Sequence, residues 1–120
     1  MSRLPRVVSP VTTLFTRDGI DVALVSVELW PEHLVVRLAV VPPESAVDFE
    51  AAERLLGGLQ VEVEDDAGTA YRPRSAAIGG TGSEWHGDWF FAAEAPESVR
   101  RLTLRVAPPA GEAATVVLRL

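Results

Sequence analysis

From Ile20 to Trp30 the chain reads IDVALVSVELW, and Val25, Val27 and Leu29 alternate with Ser26 and Glu28 at the period of a half-buried strand. The first half, Ile20 to Leu24, alternates in the opposite phase, which predicts a bulge near Ala23 to Val25. Pro31-Glu32-His33 makes a tight turn, and Leu34 to Val41 returns as the partner strand with Leu34, Val36, Leu38 and Val40 on one face. Pro42-Pro43 ends it, because proline cannot donate to a ladder. Val7 to Phe15 is a first strand weakened at its middle by Pro10.

A second hairpin is expected where Leu59, Val61 and Val63 alternate with Gln60, Glu62 and Glu64. Asp65-Asp66-Ala67-Gly68 supplies turn chemistry, and Thr69 to Arg74 form the return strand. Trp85 to Ala92 is a further strand. Leu102, Leu104 and Val106 define the next, and after Pro108-Pro109-Ala110-Gly111 the pattern closes with Val116, Leu118 and Leu120. One segment has helical spacing instead. Asp48 to Leu56, DFEAAERLL, sets Phe49, Ala52, Leu55 and Leu56 on one face and runs into Gly57-Gly58 as a stop signal, which predicts a short helix crossing between sheets.

Seven or eight short antiparallel strands punctuated by Gly and Pro, with one short helical crossover, predict an all-β domain, a β-sandwich with Greek-key connections spanning residues 1–120. A chain of 120 residues is one domain in length, and 48% hydrophobic with 23% charged residues is an ordinary globular balance. The formal net charge of -6 argues against nucleic acid or an anionic membrane surface as partner. Without cysteine there is no disulfide framework and no thiolate metal site. The first fifteen residues hold no uninterrupted apolar segment, so the expected location is the cytoplasm.

In the C-terminal half Asp65, Asp66, Gly68, Thr69 and Tyr71 form a D-D-x-G-T-x-Y hairpin motif, followed by the glycine-rich loop, Trp85 and Gly87 in a W-x-G strand, and Leu102-Thr103-Leu104. In this order of motifs the chain resembles a group of uncharacterised bacterial immunoglobulin-like β-sandwich proteins, and the resemblance implies an immunoglobulin-like β-sandwich here. It implies a fold and brings no catalytic residues with it.

Chemistry concentrates in Gly79 to Phe91, GGTGSEWHGDWFF. Ser83, His86 and Asp88 have the residue types of a hydrolytic triad. On an extended strand His86 and Asp88 point the same way ~6–7 Å apart, and GTGSEW lacks the spacing of a nucleophile elbow. Gly79 to Ser83 reads as a mobile connection, since no lysine and no following helix make it a phosphate loop. Trp85, Gly87, Trp89 and Phe91 share one strand face, with Trp89 and Phe91 expected in the core and Gly87 making room for the facing sheet.

Two ligand surfaces follow as alternatives. Trp85, with Trp30 nearby and His86 beside it, could stack a sugar ring or peptide; Asp65 and Asp66, with Glu62 and Glu64, could hold Ca²⁺. Arg100, Arg101, Arg105 and Arg119 form a basic strip that reads as solvated surface paired with glutamates. The sandwich core absorbs nearly every apolar residue and leaves no polar constellation over. The expectation is therefore a non-enzymatic interaction or structural module without cofactor, meeting a protein partner or a second copy of itself, with a carbohydrate or Ca²⁺ binder as the alternative.

Overall fold

The computed structural model describes residues 4–17, 19–41, 49–81 and 84–120. Along these the chain forms β1 (Arg6–Val8), β2 (Thr12–Arg17), β3 (Ile20–Leu29), β4 (His33–Val41), α1 (Phe49–Gly57), β5 (Gln60–Asp65), β6 (Arg72–Thr81), β7 (Glu84–Ala92), β8 (Arg101–Ala107) and β9 (Ala114–Arg119). Pro42-Pro43, the expected stop of β4, and Asp48, the expected start of the helix, lie outside the described residues. Nine strands replace the seven or eight expected. The extra one comes from Pro10: β1 and β2 both pair with β3, one at each of its ends, and the break between them holds Val11 at a φ of 43°.

All pairings are antiparallel. The larger sheet runs β1-β3-β4-β7-β6 with β2 also on β3, and the smaller runs β5-β8-β9. The phase change in β3 is a bulge: Leu24 faces Leu38 and Ser26 faces Arg37, so Val25 is the extra residue. Its effect is to keep Val22, Leu24, Val27 and Leu29 all buried despite the change of parity.

Those residues join Leu34, Val36, Leu38 and Val40 of β4 and Trp89 and Phe91 of β7 in one cluster with Leu102, Leu104 and Val106 of β8, Val61 of β5 and Leu118 of β9. The two sheets thus share a single core. Each fully buried Val or Leu contributes roughly 1.5–3 kcal/mol relative to exposure.

α1 carries the chain from the larger sheet to the smaller, buries Leu55 and Leu56, and closes with the Gly58 amide donating to the Arg54 carbonyl at 3.0 Å. It lies against β7 and β6. The expected hairpin from Leu59 to Arg74 is not formed. β5 pairs with β8, while β6 pairs with β7 in the other sheet, so Asp65 to Gly68 turns the chain across the core. Alternation gave each strand its faces, and the acidic turn its bend, but neither encodes which neighbour completes the ladder.

Candidate functional site

The stretch richest in chemistry is a strand pair. Gly79, Gly80 and Thr81 belong to β6, opposite His86, Trp85 and Glu84 of β7, so they are not part of a mobile loop; residues 82 and 83 lie outside the described residues. Gly87 is buried, and a Cβ built there would meet Trp89 ring atoms at 2.5 and 2.6 Å. The space left by glycine is therefore taken by the indole two residues along the same strand, not by the facing sheet.

Ser83, the nucleophile of the candidate triad, lies outside the described residues. His86 is exposed beside Ala39 and Gly79. Asp88 is engaged elsewhere, accepting a hydrogen bond from Arg37 Nη1 at 2.8 Å, while Arg37 Nε donates to Glu28 at 2.7 Å. This half-buried network ties β3, β4 and β7 on the face away from the core. The Arg37 bond holds the Glu28 carboxyl below the usual carboxylate range against the opposing effect of burial. An aspartate held in this pair does not orient an imidazole.

The two tryptophans are far apart. Trp30 sits at the end of β3, its amide donating to the His33 carbonyl at 2.8 Å, and its ring stacks on His33 with centroids 5.4 Å apart and planes 11° apart. Its Nε1 also donates to Glu28 at 3.3 Å. Trp85 pairs with Val40 at the other end of β4. The seven steps from His33 to Val40 amount to ~23 Å, so one ligand ring cannot bridge the two indoles. Trp85 is half-buried against the core and shares a cleft of about 710 Å³ with Arg54, Gly58 and Ile78.

The acidic turn is a structural knot. Asp65 accepts from the amides of Ala67 and Thr69 at 2.8 and 3.0 Å and from the Tyr71 hydroxyl at 2.6 Å. Partial burial opposes ionisation, but bonds from Thr69, Tyr71 and the turn amides outweigh it and lower the Asp65 pKa. Burial, then the bond to Asp65, raises that of Tyr71. Asp66 caps the Arg100 amide at 3.1 Å. Among the described residues no group of three or more His, Cys, Asp or Glu side chains is placed to hold a metal ion.

The arginine strip divides. Arg105 lies 3.5 Å from Glu62, Arg101 faces Arg119 across β8 and β9, and Arg100 turns to the carbonyls of Glu97 and Val99 at 2.5 and 3.1 Å. Arg6 reaches the same Val99 carbonyl at 2.5 Å from β1.

The expected return strand, Thr69 to Arg74, reaches only the start of β6, and the rest of that strand went unread. A sheet five strands wide cannot be covered by one of three, and the excess at ~4.8 Å per strand is ~10 Å. β2 lies against β9, so the overhang falls on the opposite side. There β6, RPRSAAIGGT, is exposed from Arg72 to Ile78 on both faces, and its outer edge has no strand partner among the described residues. Beneath it a cleft of about 530 Å³ is lined by Leu59 just before β5, Val61 of β5, Pro73 and Ala76 of β6, and Trp89 and Phe91 of β7. The register skips Arg74 between Pro73 and Ser75, which makes it a bulge residue. The sequence signal was present as a run of small residues without apolar alternation, which a doubly exposed strand has no need of.

Comparison with known proteins adds fold and no activity. No family model matches, and no curated protein matches. A crystal structure described as the conserved domain protein from Bacillus anthracis aligns with a TM-score of 0.56 at 12% identity, over 97% of this chain and 49% of that one. The chain thus spans about half the length of that structure. At this identity the likeness concerns fold alone.

Proposed function

We propose that the chain is an immunoglobulin-like β-sandwich that works as a non-enzymatic interaction module and meets its partner on the open side formed by β6. The observation that carries this reading is a ten-residue edge strand, exposed on both faces from Arg72 to Ile78, whose outer edge lacks a strand partner among the described residues. Such an edge is a template for another strand, and folds commonly cover it when it has no use. The sandwich assignment is supported by one core between two antiparallel sheets and by crossings from β4 to β5, β5 to β6 and β7 to β8. The motif resemblance in the C-terminal half agrees with it.

The catalytic alternative finds little support. Asp88 is held by Arg37, Asp65 is bound within its own turn, and Asp66 accepts from the distant Arg100 amide. Site-specific photocrosslinking in the native host tests the reading. A benzophenone amino acid at Ser75 or Ile78 should capture a protein, while one at exposed Val117 on the smaller sheet should not. Crosslinks from Val117 alone, or from neither side, would sink the proposal.

A further inference from the structure

We infer that the occupant of the β6 edge is an acidic extended segment of a partner protein, added to the larger sheet as a further strand with its carboxylates on Arg72 and Arg74. This rests on the interaction reading above and specifies its chemistry. Three observations support it.

The first is charge. The chain holds seventeen acids against eleven arginines, yet β6 contains two arginines and no acid. Arg37, Arg105, Arg6, Arg17 and Arg100 all have carboxylate or carbonyl partners. Like Arg54, Arg101 and Arg119, Arg72 and Arg74 have no side-chain hydrogen bond or ion pair among the described residues. They stand at one end of an edge whose backbone groups on alternate residues point outward.

The second is size. Beyond the arginines the strand continues with Ser75, Ala76, Ala77 and Ile78 and closes with Gly79, Gly80 and Thr81, so Ile78 is the one large side chain that a second backbone approaching to the ~4.8 Å ladder spacing would meet. The third excludes the nearest competitor. A second copy paired antiparallel about Ala77 would set Arg74 against Gly80, and a parallel copy would set arginine beside arginine. Neither arrangement supplies a carboxylate to Arg72 or Arg74.

The test uses the full chain, isotopically labelled, titrated with blocked octapeptides that alternate valine with glutamate or valine with lysine. The Val-Glu peptide should shift amides of β6 and β7 and bind at least about tenfold more tightly than the Val-Lys peptide, and salt should weaken it. The double variant Arg72→Gln/Arg74→Gln should lose about tenfold or more of that affinity with its fold unchanged. Equal binding of the two peptides, an unaffected double variant, shifts centred elsewhere, or no binding would overturn the inference.

Proline substitutions address strand addition itself. Of Ala76→Pro and Ala77→Pro, one removes an amide directed at β7 and the other an amide directed outward, so the outward one keeps the fold and should abolish peptide binding. If a folded proline variant at both positions still binds the Val-Glu peptide, the added strand is wrong. Should both variants unfold, hydrogen exchange of the native chain decides: protection of alternate β6 amides by the peptide is expected, and unchanged exchange overturns the inference. A β6-mediated dimer in sedimentation that excludes the peptide would replace the acidic strand by a second copy. Crosslinks at Ser75 or Ile78 with a failed peptide arm would leave the interaction reading standing and remove only the acidic strand.

Discussion

The two flanks of the molecule are built on opposite terms. On one, β2 lies against β9 and Arg17 donates to the Pro109 carbonyl. On the other, β6 extends beyond the smaller sheet with exposed residues on both faces. The same larger sheet supplies both edges, so the difference arises from where the narrower sheet sits. The closed flank serves stability, and the open flank leaves backbone and charge available.

Substitutions sharpen this contrast in order of size. Leu118→Ala, on β9 at 5% exposure, should cost about 2–5 kcal/mol in denaturant unfolding, because it deletes core volume from the closed flank. Gly87→Ala drives a methyl into the Trp89 ring and should cost about 1–3 kcal/mol, with part of the loss recovered in Gly87→Ala/Trp89→Leu. A fully additive double variant would show that the two positions are not coupled.

Asp65→Asn cuts the knot that turns the chain into β6 and should cost about 1–2 kcal/mol near neutral pH. Because Asp65 titrates below its ordinary 3.8 when folded, its contribution is present above that value and disappears as pH falls through the lower folded one. The gap between the native chain and the Asp65→Asn variant should therefore narrow in acid; a constant gap would contradict the assigned bonds. Val11→Asn should raise stability by about 0.5–1 kcal/mol, since a β-branched residue at a φ of 43° is strained and asparagine tolerates that region. Ile78→Ser, on β6 at 36% exposure, should change stability by no more than about 0.5 kcal/mol. A large loss there would mean the open flank is part of the core after all.

Much of the fold was legible from alternation. β3 with its bulge, β4, β7, β8, β9 and α1 all stand close to where apolar periodicity placed them, because burial on one face leaves a period in the sequence. What periodicity lacks is partner identity. Val61 and Val63 looked the same whether β5 joined β6 or β8, and the 51-residue separation between Arg37 and Asp88 is set by long-range pairing that no local window contains. The same limit put Trp30 beside Trp85, since their separation depends on the register of β4 with both neighbours. β6 failed for the opposite reason: with neither face buried, Ser75 to Gly80 had no pattern to read.

The strand order also bears on how the chain is made. Every member of the larger sheet precedes Arg101, whereas β8 and β9 supply two of the three strands that cover its apolar face. During synthesis from the N-terminus, Leu24, Leu38 and Trp89 therefore wait, wet and adhesive, until the segment to Arg119 has left the ribosome. Nascent chains stalled before Arg101 should accordingly recruit chaperones that bind exposed apolar surface, and those in which Leu120 has cleared the ribosome should not.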